Sequence, residues 1–537
     1  MLSSRIFSTI SGLFLASAIG ACSTLLGFDD YQVQAPPAVG TDAGPLPVAA
    51  ECSTNRQCTE RASAQADSDG GGPRVVPSVC VKPAGQCVPV LSEDCLAITG
   101  DYSSDKAIII GSLFSTKGAQ GSTNLARQQS AMLAVEEINA AGGIPAGSTS
   151  ADGHPLVMVS CDESVSLLRA AQHLVDELKV PAIVGPNTSQ DTLDLSNKLT
   201  IAARTLVLSP TAVASSIADL SDDGLTWQII PTDVQRAPLM IQQIGVLEAG
   251  LRQERNRPTI KLGIVYRDDA LGQGTRVSLN SVVLNGKPLA DTVNVGDNVR
   301  IDPYDFRQPT QEALVDAYLK FAPDIIVMAG TAEVITNVMI PLERGWIGPP
   351  ESRPQYLLID SAKVPELLSA VAGNDDLRRR IRGTGVTPGG RSIAVNDTFM
   401  VSYSARYPGQ PANIFGMGPA YDSTYAIAYG IAGVRGAAVT GTSIAQGLHG
   451  LGRGGTLVEV QSTKVLAAFS KLAAGESVTA IGTFSTLQWT DAGAILGGTL
   501  EMWCIGNPNG KPGFEQSGLT FDVATGVSAG QYVQCDL

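Results

Sequence analysis

Short, wholly apolar runs alternate with segments of helical period through most of this chain. Ala107-Ile108-Ile109-Ile110-Gly111 is the kind of run that a strand buried on both faces requires. Leu125 to Ala141 follows, and there Met132, Val135 and Ile138 mark one face of a helix. Next come a strand over Pro155–Ser160, a helix over Leu167–Leu178, a strand over Ala182–Gly185, a helix over Asp191–Ala202 and a strand over Thr205–Leu208. The same grammar returns with strands at Lys261–Tyr266, Asp324–Met328 and Tyr356–Ile359, separated by helical stretches such as Glu312–Phe321 and Glu333–Arg344. Short apolar strands with helical crossovers predict parallel sheets covered on both faces. Two such runs predict an α/β protein with two doubly wound lobes.

The first apolar run is of another kind. Ile6 to Ile19 follows Arg5, has the length of a signal-peptide core and is too short to span a bilayer. It closes on Ile19-Gly20-Ala21-Cys22, which reads as a bacterial lipobox: small Gly20 and Ala21 admit the signal peptidase, and the Cys22 thiol takes a diacylglycerol thioether. Residues 1–21 are therefore expected to be a lipoprotein signal peptide. The mature protein is expected to be exported to the periplasm or cell surface, and held to the lipid bilayer through Cys22 alone. Residues 22–50 carry Pro36, Pro37, Pro45 and Pro47 among small residues, the composition of a flexible tether. Residues 51–105 form a small cysteine-rich module, interrupted by the loop-like Ser68-Asp69-Gly70-Gly71-Gly72-Pro73.

Composition narrows the partners. A chain of 537 residues is too long for one core, so two or three domains are expected. Its net charge of −14, with no Lys/Arg-rich run and only 5% aromatic residues, excludes a nucleic-acid binder. Besides Cys22 there are eight cysteines: Cys52, Cys58, Cys80, Cys87, Cys95, Cys161, Cys504 and Cys535. An even count in an exported protein favours disulfides. No C-x-x-C pair exists and only His154, His173 and His449 are present, so no metal site is expected. Eight cysteines allow 105 pairings. The arrangement expected here has two bridges inside 52–87, Cys95 to Cys161 clamping the start of the main domain, and Cys504 to Cys535 pinning the tail.

Catalytic patterns are missing. The chain has no G-x-S-x-G elbow, Walker loop or H-E-x-x-H motif. Gly450-Leu451-Gly452-Arg453-Gly454-Gly455 precedes the strand-like Leu457–Val460 instead of following a strand, so it is read as a glycine-rich loop rather than a dinucleotide fingerprint. Neither an enzyme nor a cofactor is expected. What remains are loops at strand ends, where ligands bind open α/β sheets. Gly185-Pro186-Asn187-Thr188-Ser189 and Ser209-Pro210-Thr211-Ala212-Val213 are two such loops, rich in small and hydroxyl-bearing residues that also suit plain turns and helix caps.

Ala107–Ser112 followed by Ala134-Val135-Glu136-Glu137-Ile138-Asn139-Ala140-Ala141-Gly142-Gly143-Ile144 resembles the opening of type I periplasmic binding proteins, in their branched-chain amino-acid (leucine/isoleucine/valine) class. Similar segments follow in family order: Ile183–Pro186, Leu208–Ala212, Pro231-Thr232-Asp233, Gly263–Tyr266 with Gly272-Gln273-Gly274, Pro323–Ile326 and Ala420-Tyr421-Asp422. The resemblance runs from about 106 to 505. It implies two Rossmann-like lobes joined by a three-crossing hinge near Asp233, Gly385 and Trp489. Lobe one would hold 106–233 and 386–489; lobe two would hold 234–385 and 490–537 with the C-terminal tail.

The resemblance also implies a site. Ser189 falls on the family's serine after the third strand, and Thr211, Ala212 and Val213 fall on the turn that holds an amino acid's carboxylate and ammonium, with Val213 in place of a threonine. Leu271 replaces a tyrosine, Thr331 a cleft aromatic, and Ser122 or Thr123 an aromatic of the first loop. The acidic partner of the ammonium aligns with Ser361, beside Asp360; either Asp360 or Asp233 supplies that charge, or the ligand is not an α-amino acid. The function implied is capture of a small polar metabolite, an amino acid or related compound, for an ABC permease. The alternative is a ligand sensor or regulatory scaffold, suggested by the added cysteine module and by Ser23 after the lipid cysteine.

Overall fold

In the computed structural model, which describes residues 51–68, 76–118, 120–145, 153–410 and 414–535, the apolar runs are strands and the periodic segments are the helices between them. The signal segment, Cys22 and the tether lie outside the described residues. The chain opens with α1 (Asn55–Ser68), a hairpin of β1 (Ser78–Val81) and β2 (Gln86–Pro89), and β3 (Cys95–Thr99). The first βα run holds β4 (Ile108–Phe114), α2 (Gly121–Ala140), β5 (Leu156–Asp162), α3 (Leu167–Gln172), β6 (Ala182–Val184), α4 (Ser189–Leu195), β7 (Leu206–Ser209) and β8 (Thr226–Gln228). The second begins with α5 (Asp233–Glu254), β9 (Leu262–Arg267), α6 (Ala270–Ser278), β10 (Val299–Tyr304) and α7 (Glu312–Phe321). It continues through β11 (Ile325–Ala329), α8 (Ile340–Gly345), β12 (Gln355–Leu358) and β13 (Ile381–Thr387). A return segment adds α9 (Ser392–Arg406), α10 (Met417–Gly433), α11 (Gly441–Leu448), β14 (Leu451–Glu459), α12 (Val465–Ala473) and β15 (Val478–Ile481). The chain ends with β16 (Thr499–Gly506), β17 (Gly513–Asp522) and β18 (Val527–Ala529).

Two large sheets form the cores of the lobes. The first has six strands in the order β8-β7-β6-β4-β5-β3, the second eight in the order β10-β9-β11-β12-β13-β16-β17-β18. From β8 to β5 and from β10 to β13 every pairing is parallel, which places helical crossovers on the faces as expected. The edges differ. β3 joins the first sheet antiparallel to β5, so part of the segment assigned to the cysteine module belongs to lobe one. β16, β17 and β18 extend the second sheet antiparallel. The Gly450–Gly455 stretch is not only a loop, because β14 starts at Leu451 and pairs with β15.

The crossings follow from which sheet each strand joins. The first spans 229–232, between β8 and the capping box that Thr232 and Gln235 make at the start of α5. The second spans 388–391, just past Gly385, which is still paired in β13 opposite Glu501. The third lies at 496–498 rather than at Trp489, whose indole N–H donates to the Gln228 carbonyl of lobe one at 2.8 Å.

Packing in lobe one centres on α10, where every residue from Met417 to Ala432 is buried. A helix apolar all round must lie inside the protein, and α10 packs against α2, α11 and α12. Two of its three phenols, Tyr421 and Tyr425, both donate to Glu137 Oε2 on α2, at 2.5 and 2.6 Å. Four disulfides join Cys52 to Cys80, Cys58 to Cys87, Cys95 to Cys161 and Cys504 to Cys535. The sulfurs of Cys52, Cys58 and Cys80 lie together, but the bridges engage all three and leave no thiolate for a metal. Asn55 ties the module to its neighbours: its backbone N–H donates to Asp105, and its amide donates to the carbonyls of Tyr102 and Ser104.

Candidate ligand-binding cleft

β6 and β7 each end in a loop of small polar residues, and side-chain hydrogen bonds lock the two loops together. Thr188 caps α4 by accepting the Asp191 N–H at 3.0 Å, which places Ser189 in the first turn. Ser189 Oγ then accepts the backbone N–H groups of Val213 and Ala214 at 3.0 and 3.1 Å. Ser209 Oγ accepts the Ala212 N–H, while the Gln228 amide donates to the carbonyls of Ala212 and Ala214. Thr211 donates to the Asn187 carbonyl at 2.7 Å. The turn at 211–214 is thus held on every side before any ligand arrives.

That clamp decides which expected groups remain open. Ser189 is buried, and its oxygen serves the turn's own amides. The Val213 side chain packs into the main core, and Ala212 into a small cluster with Ala214 and Ile217. Ser122 is exposed and Thr123 half-buried in the first turn of α2. The next residues along that helix are the ones that reach the loops. Asn124 Oδ1 accepts from Asn187 at 2.8 Å and from the Arg127 guanidinium at 2.8 Å, and Arg127 Nε donates to the Phe415 carbonyl at 2.8 Å. Gly416 lies between the two loops and α2: a Cβ there would meet Thr211 Cγ2 at 2.6 Å and Arg127 Nε at 2.7 Å, and φ is +91°. Asn124, Arg127 and Phe415 were not among the residues singled out from the sequence, and Asn187 was named only as part of the 185–189 loop. Three-residue spacing of Asn124 and Arg127 just behind Ser122 and Thr123 was the available signal.

The second lobe meets this region through α5, α6 and the segment after β12. Gln190 Oε1 accepts the Ala270 N–H at 3.3 Å across the lobes. Asp233 opens α5; Oδ1 accepts from the backbone of Ser215 and Val234, and Oδ2 is buried without a partner among the described residues beneath Gly274, where a Cβ would meet it at 1.8 Å. Leu271 is half-buried against the main core. Thr331 bonds through its N–H and its hydroxyl to Glu333, which also accepts from Tyr304 and Arg267. Asp360 is buried in an ion pair with Arg236, so its carboxylate is already matched.

Burial governs the electrostatics. It draws the Arg127 guanidinium down to about 10, an effect opposed by the charge of Asp360 across the lobes. Arg127 therefore stays charged at neutral pH. Glu163, which follows β5, is pushed up to about 8 by burial and then by the charge of Asp191. Burial also raises the Asp191 and Asp233 carboxyls. Two cavities lie away from this cluster. One of 370 Å³ sits at the later crossings beside Gly389, Phe484 and Gly498; the other, of 650 Å³, lies in lobe two beside Glu343 and Glu366.

Residues 107–339 match the model of a family described as periplasmic binding protein. No curated protein sequence matches the chain. Among solved structures it is similar to a branched-chain amino acid transporter substrate binding protein of Streptococcus pneumoniae in complex with isoleucine, at 19% identity over 76% of this chain and 99% of that one, TM-score 0.53. It is similar to a leucine binding protein of Thermotoga maritima, at 14% identity over 76% and 97%, TM-score 0.54. A solute binding protein of an ABC transporter from R. palustris, in complex with 4-hydroxybenzoate, aligns at 13% identity over 76% and 96%, TM-score 0.55. With its two parallel-cored sheets and three crossings, the chain has the type I periplasmic binding protein fold.

Proposed function

We propose that this protein is an exported solute-binding protein, tethered by lipid at Cys22, that captures a small polar metabolite between its lobes for an ABC importer. The observation that carries the reading is the hydrogen-bonded cluster of Thr211, Asn187, Asn124 and Arg127 at the strand ends, with Asp360 of the other lobe within electrostatic reach. Such a cluster offers polar groups fixed in advance at a lobe junction, as a small-ligand site requires. The matched family model and the amino-acid and 4-hydroxybenzoate complexes of similar fold support the same reading. Ser189 and the 211–213 turn act in it as the clamp that holds Thr211 in place.

A thermal-shift screen of the full chain against amino acids, small carboxylates, amides, peptides and sugars tests the proposal. A ligand at a hundred times its dissociation constant is expected to add about 2.7 kcal/mol of stability, a rise of a few degrees. A uniform blank on folded protein would overturn it. A second reading, sensing without transport, draws on the bonds from Asn55 that fix the cysteine module against residues 102–105. A confirmed ligand whose uptake by cells is unchanged when the gene is deleted would favour that reading.

A further inference from the structure

Arg127 is charged, half-buried and without a carboxylate partner among the described residues. Its bonds to Asn124 Oδ1 and the Phe415 carbonyl use Nη1 and Nε, and they fix the plane of the guanidinium. Nη2 has no protein acceptor among the described residues. The Phe415 ring lies 5.9 Å from Cζ and supplies an apolar neighbour on one side. Only Gly416 separates the group from Thr211, which places the guanidinium beside the loop after β7.

The acids around the same junction are paired or shut away by burial. Asp360 is paired with Arg236, and Glu333 accepts from Tyr304, Thr331 and Arg267. Asp233 Oδ2 is unpaired among the described residues, but it is buried beneath Gly274 and burial raises its carboxyl; Glu163, at about 8, holds its proton at neutral pH. An ammonium brought here would lose its water without gaining a carboxylate that is both exposed and unpaired, which is costly. A carboxylate would find a preset guanidinium edge, and bonds of that type are among the strongest available. Resting on the proposed solute-binding role, we infer that the cleft selects an organic acid without a matching ammonium, its anionic group docked on Nη2 of Arg127. Arg127 is then the specificity-determining residue, and the Asp360–Arg236 pair keeps the opposite wall neutral.

The test is calorimetry on the full chain with three acids, hexanoate, succinate and benzoate, each paired with its neutral amide, and with leucine as the zwitterion. The expected result is that at least one acid binds, that its amide and leucine bind at least tenfold more weakly, and that Arg127→Gln loses at least tenfold in affinity for the acid. Arg127→Lys is expected to recover part of that loss, since the charge returns without the planar fork. Because the acid–amide comparison uses the unaltered protein, it stands even if a variant fails to fold. Binding of leucine or an amide as tight as that of any acid, or an Arg127→Gln variant that folds and binds the acid unchanged, overturns the inference while leaving the solute-binding role intact. A blank across the panel overturns the inference; a blank across the wider metabolite screen as well overturns both.

Discussion

Glu163 shows how one residue's surroundings set its chemistry. It follows directly on β5, is buried, and has one carboxyl oxygen without a partner among the described residues while the other accepts a long bond from Ser115. In the unfolded chain it titrates near 4.5; in the fold it does so at about 8. The folded protein therefore holds a proton that the unfolded chain releases, and stability falls as pH rises from about 4.5 to 8. Asp422, raised to about 7, acts in the same direction. Urea unfolding of Glu163→Gln at pH 5, 7 and 9 should show the variant near wild type at pH 5. It should be more stable than wild type by a growing margin at pH 7 and 9, because one source of the loss is gone. At this scale the sequence was only partly legible. Ser189 and Thr211 were found from their loops, but Val213 points into the core and Asp360 meets Arg236, 124 residues away in the chain. Side-chain direction and a distant partner are consequences of packing that no local pattern carries.

Elements were easier to read than single residues. Glu312–Phe321 is a helix over the expected residues, and the apolar strands lie within a few positions of their places. Period and composition act locally, and buried parallel strands declare themselves as uninterrupted apolar runs. Edges carry no such mark. β3 is a short strand with Leu96 exposed, and only its pairing with β5 brings it into lobe one. The Cys95–Cys161 bridge joins these two strands across 66 residues of chain. Replacing both cysteines by serine is expected to cost about 2–5 kcal/mol, since the loop is freed in the unfolded state. Chemical denaturation of the double variant measures it. A fragment that starts after Cys95 would carry the same penalty and also lose an edge strand.

At the scale of the whole molecule, the proposed role joins a lobed receptor to a lipid anchor. Cys22→Ser should abolish incorporation of a fatty-acid probe and release the protein from the membrane fraction, with ligand binding unchanged. Labelling followed by fractionation checks this. Among the described residues no helix is long and apolar enough to cross a membrane. The apolar rhythm by itself determined two βα runs, and the cysteine count in a chain read as exported pointed to disulfides, because both depend on short-range composition. Only the tertiary structure decided that β16, β17 and β18 close the second sheet, that the crossings fall at 388–391 and 496–498, and that α2 brings Arg127 to Thr211. The reason is physical: these contacts join residues from separate runs of the chain, and their partners are chosen by close packing around two cores rather than by any pattern along the sequence.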